Sequence, residues 1–235
     1  MIKCTKTSLG EIVVYRYEDD SLMLHNDLYQ INMAESYWND GIHERNAVFD
    51  LYFRSMPFES GYAVFNGLKR VIQFIEHFHF SDSDIEYLQS IGYKNDFLNY
   101  LKNLKFTGNI RSMQEGELCF GNEPLLRVEA PLIQAQLIET VLLNIINFHT
   151  LISTKASRIR QVAPDDTLME FGTRRAQELD AALWGARAAY IGGFDSTSNV
   201  RSGKLFGIPV SGTHAHALVQ TYGDEYKAFK IYAER

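Results

Sequence analysis

Residues 167–217 decide the fold and read TLMEFGTRRAQELDAALWGARAAYIGGFDSTSNVRSGKLFGIPVSGTHAHA. In this stretch, short β-forming runs alternate with segments rich in Gly, Ser, Thr and Ala, and the first two of these segments continue into helix-forming sequence. We predict strands at 168–171, 190–194 and 208–211, with helices that reach Ala189 and Phe206. Consecutive strand–helix units indicate a parallel sheet or barrel, so the fold class is predicted to be α/β.

The sequence before residue 167 mixes helix and strand patterns. Asn26 is predicted to cap a helix over 27–38, because its side chain can accept a hydrogen bond from the first free N–H groups. Further helices are predicted at 64–79, 81–91, 96–103, 132–151 and 153–162. Strands are predicted at 46–54, over a small antiparallel region at 108–131 and, as an ambiguous pattern, at 11–17, with a turn at Pro57 and Gly61.

These patterns divide the chain into three parts. Residues 1–20 are an unassigned N-terminal extension, 21–165 form an N-terminal α/β domain, and 166–235 form the first three or so βα units of an incomplete barrel. A (β/α)8 barrel takes about 250 residues by itself, whereas only 69 residues follow Asp166. If these units belong to a barrel, we therefore expect either a fragment of a longer chain or a chain that needs its missing part.

The composition narrows the possible functions. Hydrophobic residues make up 46% and charged residues 22% of the 235, which is typical of a folded globular chain and excludes a disordered one. The formal net charge of −6 gives no basic footprint for nucleic acid. Cys4 and Cys119 form neither a disulfide framework nor a CxxC site, and no signal sequence or 18-residue apolar run is found. We expect a soluble, cytoplasmic protein, in which Lys155, Arg158 and Arg160 form a solvated helix face.

Polar side chains follow the first two predicted strands, at the edge where parallel sheets bind ligands. Arg174 and Arg175 come directly after the first strand and suit a carboxylate or phosphate; alternatively, they pair with Glu178 or Asp180 on the next helix. The second junction, 192–199, is rich in Gly and hydroxyl residues, so a ligand can approach the backbone at a helix N-terminus. It has neither the ending of a P-loop nor a dinucleotide-binding fingerprint.

The third junction, 211–217, has two alternate histidines, His214 and His216. A histidine at this position can act as a base, a metal ligand or a nucleophile toward phosphorus, or it can simply pack against its neighbours. Metal binding by the pair would need a third ligand, and none is obvious from the sequence, with Asp195 and Glu170 as the candidates. Three successive junctions with Arg, hydroxyl and His side chains together favour a site for an anionic small molecule.

Several segments of this chain occur together in a known family. They are NDLYQ at 26–30, YFRSMPF at 52–58 with GY at 61–62 and FNGL at 65–68, EFGTRRA at 170–176, GGFDSTSNV at 192–200 and GTHAH at 212–216. In this order and spacing they resemble the nicotinate phosphoribosyltransferase family. The resemblance covers nearly all of residues 20–235 and is specific, because several independent motifs agree.

The resemblance implies a type II phosphoribosyltransferase-like fold, in which an N-terminal α/β region precedes an irregular α/β barrel. It implies an enzyme that joins nicotinate to the ribose 5-phosphate unit of 5-phosphoribosyl 1-pyrophosphate (PRPP), giving nicotinate mononucleotide and pyrophosphate with coupled ATP hydrolysis. This is the first step of NAD salvage from nicotinate. The implied cofactors are ATP as co-substrate and Mg²⁺, with no metal ligand assigned in this chain. The implied partner is a second subunit, in a homodimer with shared active sites, and no nucleic acid or membrane is involved.

Individual residues take roles from the motifs that they match. His216, the second histidine of GTHAH, matches the family's phosphorylated histidine, whose phosphorylated state raises the affinity for substrates. Tyr29 matches the aromatic residue that covers the pyridine ring, and Thr213 matches a nicotinate-site residue. Arg174 and Arg175 are candidates for the nicotinate carboxylate or the product phosphate, and the sequence does not separate them.

Ser198 bears on the choice between related activities. It lies where the related nicotinamide enzymes have an Asp that contacts the carboxamide, and a neutral Ser avoids repelling the carboxylate of nicotinate. Two alternatives stay open beside the nicotinate enzyme. One is a truncated, catalytically incompetent fragment of that enzyme, which could still dimerise or bind ligand. The other is a relative that acts on nicotinamide or quinolinate, against which Ser198 and GTHAH count.

Overall fold

The computed structural model of the chain describes residues 21–234. The chain divides into two compact units, each built from separate segments. Unit 1 contains the described residues up to Val48 together with Ile72–Asn109 and Glu129–Val141, and unit 2 contains Phe49–Val71, Ile110–Val128 and the residues from Leu142. The boundaries drawn from sequence at 20/21 and 165/166 stay predictions, and the strand predicted at 11–17 lies outside the described residues.

Helices and strands are mixed along the chain, which confirms the α/β class. The helices of residues 21–234 are α1 (Leu28–Asn39), α2 (Leu68–Glu76), α3 (Asp82–Ser90), α4 (Asn95–Asn103), α5 (Leu132–Val162), α6 (Leu179–Ile191), α7 (Val200–Phe206), α8 (His216–Tyr222) and α9 (Glu225–Ala233). The strands are β1 (Asn46–Leu51), β2 (Ala63–Val64), β3 (Asn109–Ser112), β4 (Leu118–Cys119), β5 (Leu126–Pro131), β6 (Met169–Glu170) and β7 (Ser196–Thr197). They form sheets with the orders β1-β5-β3, β2-β4 and β6-β7.

The helices α3 and α4 form where the sequence predicts them. α3 begins with a reciprocal cap, in which Ser81 Oγ accepts from Asp84 N at 3.1 Å and Ser81 N donates to Asp84 Oδ2 at 2.8 Å. In α4, the apolar residues Phe97, Leu98 and Leu101 lie on the buried side. Capping residues and apolar periodicity are local signals, and here the local signals were sufficient.

Asn26 does not cap α1 as the sequence predicted. The helix begins at Leu28, and Asp27 occupies the N-cap position. The Asn26 amide donates instead to the backbone oxygens of Leu137 and Met23, at 2.7 and 3.1 Å. Because an Asn side chain carries a donor group as well as an acceptor, it can satisfy carbonyls of another segment rather than the first N–H groups of its own helix.

The helix predicted over 64–79 is shorter, because its first residues belong to a strand. β2 pairs antiparallel with β4, with Ala63 opposite Cys119, and Phe65 N then donates to Glu117 O at 2.9 Å. Gly67 follows with a φ of +110°, which an α-helix cannot contain, so α2 starts at Leu68. The antiparallel pairing agrees with the small antiparallel region predicted at 108–131.

Residues 132–162 form one helix rather than the two predicted. α5 runs unbroken for 31 residues. Hydroxyl residues near its middle do not end it, because Thr154 Oγ1 donates to Thr150 O at 2.6 Å and Ser153 Oγ donates to Ala188 O at 2.9 Å. By length and composition α5 could also cross a membrane, but 56% of its most apolar window is buried within the chain, as in the core helix of a soluble protein.

Two of the three predicted parallel strands form, one of them shifted along the sequence, and the strand predicted at 208–211 is reduced to a single bridge at Val210. β6 pairs parallel with β7, and Thr197 forms a further parallel bridge with Val210. The strand predicted at 190–194 is wrong, because Tyr190 and Ile191 are the last turn of α6 and the strand forms at 196–197. The Ala-rich helix continues until Gly192, where a side chain could not fit: a Cβ would lie 2.4 Å from Ser153 O.

Arg160 joins the C-terminal turn of α5 to the segments that enter both parallel strands. Its Nε donates to Gly193 O at 2.8 Å, and its Nη2 contacts Asp195 Oδ2 at 2.5 Å. The same Asp195 oxygen accepts from Leu168 N at 2.7 Å. Arg160 Nη1 also donates to carbonyl oxygens that follow the helix, those of Ala163, Pro164 and Asp166 at 3.0, 3.1 and 2.7 Å. Arg160 therefore does not belong to a solvated helix face, as the basic run had suggested.

Replacing Arg160 with Ala is expected to lower the free energy of unfolding by ~2–3 kcal/mol, because the charged hydrogen bonds to Asp195 and to the carbonyls are lost together. Lys155 is exposed on the same helix and gives a matched control, for which Lys155→Ala is expected to change this free energy by less than ~0.5 kcal/mol. Urea denaturation followed by circular dichroism measures both. Equal effects of the two substitutions would contradict this role of Arg160.

Candidate active site

The candidate site in unit 2 lies at the carboxyl edge of the parallel strands. Because β7 pairs with β6 and also bridges Val210, the three junction loops leave neighbouring strands at the same edge. Ser198 N donates to Glu170 O at 3.0 Å and Ser211 N donates to Thr197 O at 3.0 Å, so the pairing extends to the first residues of the loops. The structure thus brings together the junctions that the sequence singled out. Parallel sheets bind ligands at this edge.

Arg174 and Arg175 form a short 3-10 turn with Thr173 directly after β6. Both are exposed, and within residues 21–234 neither guanidinium has a hydrogen bond or an ion pair. Asp180, one of the acids considered as their partner, lies 4.0 Å from Arg70 Nη2 instead. Two guanidinium groups are therefore available to an anion at the edge of the strands.

Ser198 occupies the loop between β7 and α7. Its side chain is half-buried, and it carries no charge that would oppose an anion. The next residue, Asn199, is the N-cap of α7, and its Oδ1 accepts from Ser202 N at 2.9 Å. The cap fixes where α7 begins, and it therefore also fixes the position of Ser198 in the short loop between β7 and α7.

The two histidines of the third junction have different surroundings. His214 is half-buried, and its ring lies 5.1 Å from the Phe229 ring and 5.3 Å from the Tyr232 ring, both on α9. His216 is exposed and begins α8, and Thr213 is exposed in the loop before it. Packing, the alternative role for a histidine here, therefore describes His214, and His216 is the accessible one. Residues 21–234 contain no group of three or more His, Cys, Asp or Glu side chains arranged to hold a metal ion.

Tyr29, the remaining candidate, lies in the first turn of α1 in unit 1. It is 51% exposed, and its hydroxyl accepts from Gln30 Nε2 at 3.1 Å. Gln30 is itself buried, and its Nε2 also donates to Glu139 Oε2 at 2.9 Å. The tyrosine hydroxyl is thus connected to a buried polar group, while much of the ring faces outward.

A buried ion pair in unit 2 was missed by sequence reasoning. Glu115 Oε2 lies 2.6 Å from Arg187 Nη2, and the two side chains are 16% and 13% exposed. Glu115 Oε1 also accepts from Gly67 N at 3.0 Å and from Lys69 N at 3.2 Å. Burial opposes ionisation of Glu115, but Arg187 and the two amides outweigh it and lower the pKa of this carboxyl. Glu115 and Arg187 lie far apart in the sequence, so no sequence motif could predict that they pair.

His149 lies beside this pair and is 3% exposed. Neither of its ring nitrogens has a hydrogen-bond partner among the described residues, and the Trp184 ring lies 5.6 Å away in an edge-on contact. Burial lowers the pKa of His149 to about 4; the charge of Arg187 and of Arg70 adds to the effect and that of Glu115 opposes it. The imidazole is therefore neutral at neutral pH, in contrast to an ordinary surface histidine.

Comparisons with known proteins agree with this architecture. The family model described as nicotinate phosphoribosyltransferase (NAPRTase) N-terminal domain matches residues 24–147. The chain is 66% identical over 221 residues to the nicotinate phosphoribosyltransferase of Bacillus subtilis, a match that covers 94% of this chain and 45% of that protein. Human nicotinic acid phosphoribosyltransferase superposes with a TM-score of 0.79 at 40% identity, over 83% of this chain and 40% of that one.

A more distant structure shares the fold. The nicotinate-nucleotide pyrophosphorylase of Pyrococcus furiosus matches with a TM-score of 0.76 at 23% identity, over 95% of this chain and 50% of that one. The chain contains part of the type II phosphoribosyltransferase fold. The chain belongs to the nicotinate phosphoribosyltransferase family, which confirms the resemblance found in the sequence. It spans less than half the length of the curated relatives that it matches, 45% of the Bacillus subtilis protein and 36% of an Arabidopsis thaliana one.

The buried His149 is expected to make stability depend on pH. Its pKa is about 4 in the folded chain against 6.5 for an ordinary histidine, so the unfolded chain binds the extra proton and stability falls as the pH drops through this window. Between about pH 7 and about pH 5 the loss attributable to His149 is about 2 kcal/mol. Urea denaturation at the two pH values measures it in the wild type and in His149→Leu.

Between the two pH values, the free energy of unfolding of His149→Leu is expected to fall by about 2 kcal/mol less than that of the wild type. This difference does not depend on how stable the variant is at neutral pH. His77→Gln, which changes an exposed histidine, is the control and is expected to keep the wild-type pH dependence. Protonation of Glu115 also destabilises the folded chain as the pH falls through the lowered pKa of this carboxyl, but that contribution is common to all three proteins. An unchanged pH dependence in His149→Leu would show that the histidine is not held neutral.

Proposed function

We propose that this chain supplies the nicotinate-binding and phosphohistidine residues of a nicotinate phosphoribosyltransferase, which forms nicotinate mononucleotide and pyrophosphate in the first step of NAD salvage from nicotinate. The observation that carries the proposal is that Arg174, Arg175, Ser198 and His216 follow neighbouring parallel strands. Membership of the family supports it further. Because the chain spans 45% of the Bacillus subtilis relative, the proposal concerns these residues first and turnover of the whole enzyme second.

The nicotinate carboxylate is bound by one or both guanidinium groups of the loop after β6. Arg174 and Arg175 are exposed and have no partner within residues 21–234, so binding an anion costs no existing ion pair. A planar guanidinium can donate two parallel hydrogen bonds to a carboxylate. Ser198 and Thr213 add hydroxyl groups, and an uncharged Ser198 does not repel the carboxylate, which favours nicotinate over nicotinamide.

The proposed reaction depends on how the two substrates are positioned and needs no nucleophile from the protein. The pyridine nitrogen of nicotinate attacks C1 of the ribose of PRPP, and the bond from C1 to the pyrophosphate oxygen breaks with its electron pair leaving on pyrophosphate. The ring nitrogen becomes quaternary, and no proton is transferred. The residues of this chain therefore act by holding two anionic substrates in contact and by complementing their charge.

His216 is the proposed site of phosphorylation by ATP. Its imidazole is exposed at the first residue of α8, so one of its nitrogens can attack the terminal phosphorus of ATP with ADP as leaving group. The phosphohistidine adds negative charge and oxygen acceptors that can order the loops beside it. His214 packs against two aromatic rings of α9 and is not part of this step.

Cofactors and partners complete the proposal. ATP is a co-substrate, and Mg²⁺ neutralises charge on pyrophosphate when it is bound; residues 21–234 offer no cluster of metal ligands, so no step is assigned to the ion here. The enzyme acts in the cytoplasm on nicotinate and PRPP, without nucleic acid or membrane partners. It forms a homodimer with shared active sites, and the exposed ring of Tyr29 is available to cover a pyridine ring in such a site.

Incubation of the chain with ATP labelled at its terminal phosphate tests the proposed phosphohistidine. The wild type is expected to gain acid-labile label, and His216→Asn is expected to lose it, because the asparagine amide is not nucleophilic toward phosphorus. His214→Asn is the control within the same motif and is expected to keep the label. Absence of label in the wild type, or its retention in His216→Asn, would refute the proposed role of His216 in this chain.

The charge at position 198 is expected to control the affinity for nicotinate. Ser198→Asp introduces a carboxylate near the bound one and is expected to raise the Kd for nicotinate ~10-fold or more. In Ser198→Asn the new side chain has nearly the same size as aspartate but no charge, so the Kd for nicotinate is expected to change less than ~3-fold. Isothermal titration of both variants and the wild type measures the constants. Equal affinities of the two variants would remove the charge argument for specificity.

A further inference from the structure

Side chains at the carboxyl edge of β6 and β7 form a closed ring of hydrogen bonds that sequence reasoning did not anticipate. Glu170 Oε1 accepts from Gly172 N, and Glu170 Oε2 accepts from Thr197 Oγ1 at 2.7 Å. Thr197 Oγ1 in turn accepts from Asn199 N at 3.0 Å, and Asn199 Nδ2 donates to Thr173 Oγ1 at 3.1 Å. Thr173 follows Gly172 in the chain, which closes the ring.

The ring connects the two loops that carry the candidate anion-binding residues. Gly172 and Thr173 precede Arg174 in the loop after β6, while Thr197 ends β7 and Asn199 follows Ser198 in the loop after it. Backbone pairing of the strands extends only to Ser198 N on Glu170 O, so beyond this point the side chains are what joins the loops. The members of the ring are buried or half-buried, Thr197 completely.

Two further observations indicate that the ring is a built feature. A Cβ at Gly172 would lie 2.7 Å from Glu170 Oε1, so a larger residue here would force the carboxylate to shift from its present position. Glu170 is a carboxylate without a cationic partner among residues 21–234, although Arg174 and Arg175 follow a few residues later. Its negative charge is held by hydrogen bonds, which leaves both guanidinium groups free for a ligand.

We propose that Glu170, Thr197, Asn199 and Thr173 are positioning residues, which hold the Arg174–Arg175 loop at a fixed place relative to Ser198 so that both can address one anionic ligand. The part that concerns a ligand rests on the proposed function. The part that concerns the coupling of the two loops does not. In this arrangement Thr197 is the central member, because its one hydroxyl donates to Glu170 and accepts from Asn199.

The first experiment tests the coupling without any ligand, by amide hydrogen exchange followed by NMR. Thr197→Val removes the hydroxyl and keeps the shape, so exchange is expected to quicken ~10-fold at Asn199 and at least ~3-fold at Gly172, in the other loop. Thr197→Ser keeps the hydroxyl and is expected to restore both rates. Ser196→Ala is the matched control on the same strand, because the buried Ser196 hydroxyl has no partner among the described residues.

Gly172→Ala gives an independent disruption from the other loop. Its added methyl group displaces the Glu170 carboxylate, while a φ of −86° at this residue suits alanine without backbone strain. Exchange at Asn199 is expected to quicken at least ~3-fold. An unchanged Gly172 rate in Thr197→Val, or a Gly172 rate that moves equally in Ser196→Ala, would overturn the coupling of the loops.

The second experiment measures nicotinate binding to the same proteins by isothermal titration. Thr197→Val is expected to raise the Kd ~10-fold, with Thr197→Ser and Ser196→Ala within ~2-fold of the wild type. Rescue by the serine variant distinguishes positioning from a general loss of structure. Binding that survives in Thr197→Val would overturn the positioning role. If the wild type itself binds no nicotinate, the proposed function fails, while the exchange experiment still decides whether the loops are coupled.

Discussion

The structure of the second unit depends on one guanidinium group. Arg160 bonds to the carbonyls that end α5, to Gly193 O after α6 and to Asp195, whose carboxylate also accepts from Leu168 N at the entrance of β6. The Leu168 amide and Arg160 together lower the pKa of Asp195, so the carboxylate stays charged. One side chain therefore sets where both parallel strands begin. Because the strands are short, fixing where they begin also fixes where they end. Arg160 thereby contributes indirectly to the position of the edge where the candidate site lies.

One acid and one base pair with each other inside this unit, and a neighbouring histidine stays uncharged. Glu115 and Arg187 pair in a nearly buried place and hold the start of α2 through the amides of Gly67 and Lys69. His149 stays neutral beside them because burial opposes its charge. A buried pair of this kind is costly to break, since either partner alone would be an uncompensated charge. The guanidinium groups of Arg174 and Arg175 lie outside this core, in the loop after β6, and remain open to an anion.

The sequence carried the local signals and missed the distant ones. The alternation of strands and helices after residue 166, the helices α3 and α4 and the family motifs were predicted correctly, because each depends on residues a few positions apart. The strand predicted at 190–194 is wrong because Tyr190 and Ile191 continue the Ala-rich α6, which ends where Gly193 takes a φ of +105°. Asn26 and Arg160 were misjudged for the same reason: their partners lie in segments that only the folded chain brings near. Glu170 was noticed only as a possible metal ligand, while its actual partners are Gly172 and Thr197.

The GTHAH segment shows how two residues of one type can be under different demands. His214 packs against the rings of Phe229 and Tyr232 on α9, where a planar ring is what these contacts require. His216, two residues later, is the first residue of α8 and its imidazole is exposed. Evolution could therefore exchange the first imidazole for another planar ring without touching the second. A homologue with an aromatic residue at the first position would still be chemically equivalent, although a search for paired histidines would pass it over.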